Sequence, residues 1–490
     1  MRKLTLLAVV VAIAISAACT KPTGTLEAAE DTLSAATVKS IEYSGTGKWF
    51  QFGQAPNPTL PWPPFDVSSF TAAINYEMPS ARIEMVRKQT LEPPRVRPAP
   101  AEARPIQVVS GTYAWNLAPP AGAAPGAAPV ANAQPAAVEE RTMEIWVTPH
   151  GFLKAARANN ATSEASTGGS TVSFTAGGKK YVGTINAKNE VDKVQTWMDT
   201  PVLGDTLVET VYSDYKDFGG VTFPAHIVRT QGGHPVLDIT VSEVKLNPAV
   251  DLPVPDQVKN FTPPPVQVNV QKLADGVYQM TGANAHTVAI DQSDHIVVVE
   301  GPANEARSLA VIAKIKETIP NKPIRYVINS HVHFDHSGGL RTYVDEGATV
   351  VTHQMNQPYF EQAWAAPRTL NPDRLAQSKK AAKFETVTDK KVLTDSKRNI
   401  EIYSIAGSGH NDAFLMIYLP KEKILIEGDA FTPGAADAPP PAVPNPYTVN
   451  LYENIQRLKL DVRQIAAIHG PRVATMADLR TAIGVKADTN

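Results

Sequence analysis

The stretch Asn329-Ser330-His331-Val332-His333-Phe334-Asp335-His336-Ser337-Gly338-Gly339 puts three imidazoles and a carboxylate within six residues, directly after an apolar run at 324–328. Imidazole and carboxylate are the side chains that hold zinc and similar cations. One residue separates His331 from His333, so a short turn can aim both rings at one cation. Asp335 and His336 then point elsewhere and can hold a second. Gly338 and Gly339 are expected to let the backbone turn tightly beneath the ions and start the next helix. A cluster this dense, with ligand spacing, reads as a metal site rather than a histidine-rich surface loop.

The elements that must position these groups are strands ending at one edge. His410 in Gly407-Ser408-Gly409-His410 follows an apolar strand at 400–405, Asp429 in Glu427-Gly428-Asp429 ends one at 423–426, and His469 in Ile468-His469-Gly470 ends one at 465–468. Upstream, the pattern predicts strands over 268–281, 286–291 and 295–300, a helix over 304–319 and the strand 324–328 that delivers the motif. A helix near Leu340, a strand at 349–352, a helical excursion over 355–383 and strands at 387–393 and 400–405 follow. This α/β mixture of hairpins and crossover helices implies packed sheets covered by helices.

His331-Val332-His333-Phe334-Asp335-His336, with Gly409-His410, Gly428-Asp429 and His469-Gly470 downstream, resembles the metallo-β-lactamase superfamily over 266–490. The resemblance implies a four-layer αββα sandwich of two mixed sheets flanked by helices, with the metals at one edge. It implies that His331, His333 and His410 hold one zinc ion, that Asp335, His336 and His469 hold a second, and that Asp429 bridges them. Glu300 stands where relatives commonly have Asp and is expected to support the motif loop. His286 and His353, near strand ends, are candidate outer supports.

A bridging Asp429 resembles the glyoxalase II and lactonase type, whereas two-zinc β-lactamases place Cys or Ser there. The implied activity is hydrolysis of an ester, thioester, lactone or amide-type carbonyl. Two zinc ions would lower the pKa of a shared water from about 16 to about 7, giving hydroxide at neutral pH. Asp335 is the candidate proton shuttle and so the catalytic residue. The alternatives are a β-lactamase-like activity, an iron-dependent enzyme of oxygen chemistry with similar ligands, and a lipid- or lipoprotein-binding module whose metal domain is inert. Residues 355–370, with Tyr359, Phe360 and Trp364, are either a lid or core, and the proline-rich 435–447 is a candidate pocket loop.

With 490 residues, the chain calls for roughly two or three domains at about 100–200 residues each. A net charge of −2 provides no basic field, which makes nucleic acid a poor candidate partner, and the resemblance implies a small-molecule substrate. Met1-Arg2-Lys3 followed by an apolar run at 4–15 and small residues reads as an export signal over 1–19. Cys19, the sole cysteine, resembles the lipid-modified first residue of a lipoprotein. The expectation is a cell-envelope protein, lipid-anchored on the periplasmic side; cleavage after Ala17 or Ala18 would instead leave it soluble. Residues 20–250 read as a mainly antiparallel β domain, a helix at 25–40 followed by a curved sheet, similar in pattern to the half-barrel of periplasmic lipoprotein carriers. Strands are expected at 41–54, 70–89, 106–117 and 143–156, and Gly219-Gly220 marks a hairpin. Trp49, Trp62, Phe65 and Trp115 are groove or core. The Ala/Pro/Gly-rich 118–137 is expected to be a disordered loop and the proline-rich 251–265 an extended linker. Oligomeric state leaves no mark in the sequence.

Overall fold

The computed structural model describes residues 24–120, 122–124 and 126–485, so the export segment and Cys19 lie outside the described residues. From Ser40 to Leu246 the chain builds one 14-stranded sheet, antiparallel throughout. Its two halves join where Ser40–Phe50 pairs with His234–Leu246, strands from opposite ends of this region. Helices Leu26–Thr32, Val138–Trp146 and Pro149–Ala158 bury Ile145, Phe152 and Leu153 with the strand residues Ile41, Val194 and Phe223. Phe152 lies so close to Gly183 that a Cβ there would come within 2.3 Å of its ring. The Asp217–Thr222 hairpin turns at Gly219 and Gly220, both at positive φ, as the sequence suggests.

Several expectations need correction. Residues 143–156 are helical rather than a strand. Thr148 Oγ1 accepts from Gly151 N and Pro149 opens the second helix, while Met143, Ile145, Phe152, Leu153 and Ala156 are buried at helical spacing. The first helix ends at Thr32, and Ser34 at φ 53° takes the chain out of it. Within 118–137, Val130–Ala133 pairs with Tyr113–Ala118 and Pro135–Ala137 forms a 3-10 turn. Strand pairing satisfies backbone groups, so small side chains do not prevent it. Nor is 251–265 a free linker: helix Asp256–Lys259 buries Val258 against Val108 and Trp115.

Beyond this segment come a seven-stranded and a six-stranded sheet, packed face to face. In the first, Ile296–Val299, Ile324–Ile328, Thr349–His353 and Phe384–Val387 run parallel. Alternation assigns their apolar residues to two cores. Val297 and Val299 meet Ile402, Ile417 and Ile426 between the sheets, while Ile296 and Val298 meet Val311, Ile315 and Tyr343 under the outer helices. Strands covered on both faces therefore read as unbroken apolar runs. On the far side, Met416, Leu425 and Ile465 are covered by Leu451, Ile455 and Leu479 from Pro446–Arg457 and Met476–Ala482. The result is the four-layer αββα sandwich. The segment 387–393, expected as one strand, is split: Phe384–Val387 ends one sheet and Lys390–Thr394 begins the other. No helix among the described residues is long and apolar enough to cross a membrane.

The two regions meet directly. Arg368 donates to Thr200 O and Val202 O at 3.3 and 2.8 Å, and Asp205 accepts from Thr369. The 355–370 segment thus braces the first domain, and Phe360 and Trp364 stack within the helical layer, as core rather than lid.

Candidate metal centre

Strand Ile324–Ile328 ends at Asn329, whose N–H donates to Val351 O, and Asn329 Nδ2 donates to His331 O at 2.7 Å. The chain then turns into the short helix Phe334–Ser337, where Ser337 Oγ donates to Val332 O and His333 O. Gly338 and Gly339 follow, but their φ values of −63° and −105° are open to any residue. Their requirement is space. A Cβ on Gly338 would lie 1.9 Å from Ala303 O, and one on Gly339 2.0 Å from Ser308 Oγ.

Seven side chains from four strand ends converge. His331, His333, His410 and Asp429 form one group, and Asp335, His336, His469 and Asp429 a second; within each, the ligand atoms lie within 4.8 Å of one another. Asp429 is common to both and divides its oxygens. Oδ2 lies 3.3 Å from His331 Nε2 and 2.8 Å from His410 Nε2; Oδ1 lies 3.1 Å from His336 Nε2 and 3.0 Å from His469 Nε2. Asp335 Oδ2 completes the second group, 3.5 Å from His336 and 3.6 Å from His469.

The donor set fits a pair of cations. Nε2 of His331 and His410 are 3.2 Å apart, and those of His336 and His469 are 3.0 Å apart, nitrogen facing nitrogen. Tetrahedral zinc with bonds of about 2.0–2.1 Å spaces its nitrogens by about 3.3 Å. His333 Nδ1 is buried with no hydrogen-bond partner and faces the same point. Three rings are turned inward by hydrogen bonds behind them, His331 Nδ1 to Ser330 Oγ, His333 Nε2 to Ala55 O and His469 Nδ1 to Asn284 O, and a fourth, His336, has the Glu300 carboxylate behind it, with Oε2 3.3 Å from Nδ1 at ion-pair distance.

Electrostatics separate the two groups in the ion-free protein. Burial, with His336 nearby, pulls His331 down to about 4. Burial opposes charge on His469 too, but hydrogen bonds to Asp335 and Asp429 carry it up to about 10. His336 is likewise raised, because Asp429 and Glu300 outweigh its burial. Asp429 is held far below the usual carboxylate range, since His336 and His410 overcome its desolvation.

Glu300, fully buried at φ 73°, accepts from Ser330 N at 2.8 Å as well as facing His336, the supporting place expected of it. His286 Nε2 donates to Gly470 O and so braces the His469 turn. His353 stands apart: its Nδ1 accepts from Met355 N, and among the described residues no hydrogen bond or ion pair joins it to the seven groups. Sequence reasoning missed Glu427, whose Oε2 accepts from Ala430 N and Phe431 N and shapes the Asp429 turn; an acidic residue closing an apolar strand was the available signal. It also missed Gln54, whose Nε2 donates to Asp335 Oδ1 at 2.8 Å, and Ala55. A third group, Asp294, His295 and Asp395, is a turn network, because Asp395 already accepts from Ser293, Lys397 and Arg398.

Residues 292–467 match the family model described as the metallo-beta-lactamase superfamily. Among curated proteins, the chain is 24% identical over 170 residues to a type 2 metallo-beta-lactamase of Elizabethkingia meningoseptica, covering 33% of this chain and 61% of that protein. It is 22% identical over 180 residues to the 2,4-dinitroanisole O-demethylase subunit alpha of Nocardioides sp. (strain JS1661), covering 36% and 48%. The chain thus spans about half to three fifths of the curated relatives it matches. Among solved structures, a metallo-beta-lactamase from Pontibacter korlensis is 18% identical with a TM-score of 0.34, over 45% of this chain and 98% of that one. One from Hirschia baltica is 20% identical with a TM-score of 0.34, over 44% and 95%.

Proposed function

Since residues 292–467 match the metallo-beta-lactamase superfamily model and the described site carries a matching set of ligands, we propose that this protein is a dinuclear metal-dependent hydrolase acting on an ester, thioester, lactone or amide-type carbonyl. The observation that carries this reading is the division of Asp429 between two ligand groups, one oxygen to each. Zinc is the ion suited to five imidazoles and two carboxylates. Bound there, two such ions would supply Lewis acidity and a water acidic enough to ionise at neutral pH.

The chain's own residues do the rest. Ser330, Ala55, Glu300 and Asn284 hold four imidazoles with one nitrogen inward, so no rotation is needed when substrate arrives. Asp335 has a side chain 45% exposed, the most open of the carboxylates in the site, and its Oδ2 faces His336 and His469 at 3.5 and 3.6 Å. It can take a proton from the attacking water and deliver it to the leaving group. Phe414 and Tyr447 pack their rings 4.8 Å from His331 and 5.3 Å from His410, flanking the first group.

The export signal and the lipid anchor at Cys19 complete the proposal, placing the enzyme on the periplasmic side of an envelope membrane. The test is metal analysis of protein purified without added metal, then a screen of esters, thioesters, lactones and β-lactams with and without chelator. Similarity to a protein named for O-demethylation adds aryl methyl ethers to the panel. Two zinc ions per chain and chelator-sensitive carbonyl hydrolysis are expected; hydrolysis that survives complete metal removal refutes the proposal.

A further inference from the structure

The first domain reaches the metal centre through loop 51–63, between strands Ser40–Phe50 and Pro64–Asn75. Phe52 and Trp62 both set their rings edge-on to Phe334, at 5.2 and 5.7 Å, in the middle of the histidine motif. Gly53 lies flat on that same ring: a Cβ there would come within 2.6 Å of it, and Gly53 O accepts from Phe334 N at 3.1 Å. The next residues engage the ligands. Gln54 Nε2 donates to Asp335 Oδ1 at 2.8 Å, and Ala55 O accepts from His333 Nε2 at 3.0 Å and from Asn411 Nδ2 at 3.1 Å. Beyond them, Asp412 N donates to Pro56 O at 2.8 Å, and Asn57 Nδ2 donates to Asp412 Oδ2 at 2.7 Å.

These contacts fall on both ligand groups and leave the inward atoms free. With Nε2 of His333 committed to Ala55, the ring must present Nδ1 to the first group. With Oδ1 of Asp335 committed to Gln54, the carboxylate must present Oδ2 to the second. Asp335 needs that hold most, since its exposed carboxylate would otherwise turn and hydrate freely. We infer that loop 51–63 is a structural part of the metal centre, and that Gln54 is a positioning residue for the second ion. The first domain therefore completes the site of the second rather than riding beside it. The inference rests on the dinuclear reading above.

The test uses full-length wild type, Gln54→Ala and Gln54→Glu, stripped of metal and titrated with zinc against a chromophoric chelator, with cobalt(II) spectra to resolve the two positions. Loss of an outer partner of a ligand weakens metal binding by about 10–100-fold. Gln54→Ala is expected to weaken the second ion roughly tenfold, with the first unchanged and the cobalt bands of the second position altered. Gln54→Glu is expected to do more, because it sets a like charge against Asp335. Wild-type affinity for both ions in both variants overturns the inference. So does an equal loss at both positions with lowered melting of the metal-free protein, the mark of a merely structural loop. If the wild type itself takes up fewer than two ions, the dinuclear reading fails, and the inference with it.

Discussion

Glu300→Gln changes one oxygen to an amide nitrogen at the junction between the motif loop and the second ligand group. The native carboxylate is fully buried, accepts from Ser330 N at 2.8 Å, and faces His336 Nδ1 at 3.3 Å. Glutamine can keep only one of these. If its carbonyl stays on Ser330 N, its NH2 meets the Nδ1–H of His336, donor against donor. The ring must then turn or lose its support, and Nε2 no longer aims at the second group. Loss of an outer partner of a metal ligand weakens binding roughly 10–100-fold, about 1.4–2.8 kcal/mol. The second zinc should therefore dissociate 10–100-fold more readily, while the first, held by His331, His333 and His410, changes by less than about threefold. Competition with a chelator of known affinity reads both. Unchanged affinity for the second ion would refute the reasoning, because Glu300 would then be only a buried carboxylate satisfied by Ser330.

Asp335→Asn should remove most turnover while the first ion stays bound; wild-type rates in a fully loaded variant would rule Asp335 out as the proton carrier. Gly338→Ala drives a Cβ to 1.9 Å from Ala303 O and should cost about 1–3 kcal/mol, visible as a lower melting temperature. His150, buried against Phe223 in the first domain, gives a pH test. Its Nε2 donates to Leu33 O, and burial holds it down to about 4. Above pH 6.5 both states are neutral and its contribution is whole. Between 6.5 and 4 only the unfolded chain takes the proton, so stability falls as pH falls, by about 2 kcal/mol from pH 7 to 5. Denaturant unfolding of His150→Gln at the two pH values should show that much less acid sensitivity than wild type. Cys19→Ser should move the protein from the membrane to the soluble fraction; a membrane-bound variant would refute the lipid anchor.

Why some of this was legible in the sequence, and some not, follows from how each feature is encoded. The ligands closing apolar strands could be read because a sheet buried on both faces leaves long apolar runs, and His331, His410, Asp429 and His469 interrupt or end them. Glu300 was readable for the same reason. The helices at 138–158 were not, because Met143, Ile145, Trp146 and Val147 crowd together and mask the helical period, although Thr148-Pro149 marks a helix start. Val258 looked like linker because one buried apolar residue among prolines has no period at all. Gln54 and Ala55 carry no local signal: one acts through an ordinary amide and the other through a backbone carbonyl.

The contact between Gln54 and Asp335 joins residues 281 apart in sequence, and that between Ala55 and His333 residues 278 apart. Closing so long a loop carries a chain-entropy cost that only two folded domains can offset. Contacts this distant in sequence slow folding, because the loop-closure cost comes before their gain. A chain whose second domain has folded first holds its imidazoles near one another, but with His333 and Asp335 unrestrained. If docking is what restrains His333 and Asp335, the rate at which stripped, unfolded protein regains its second ion should report the docking of the domains.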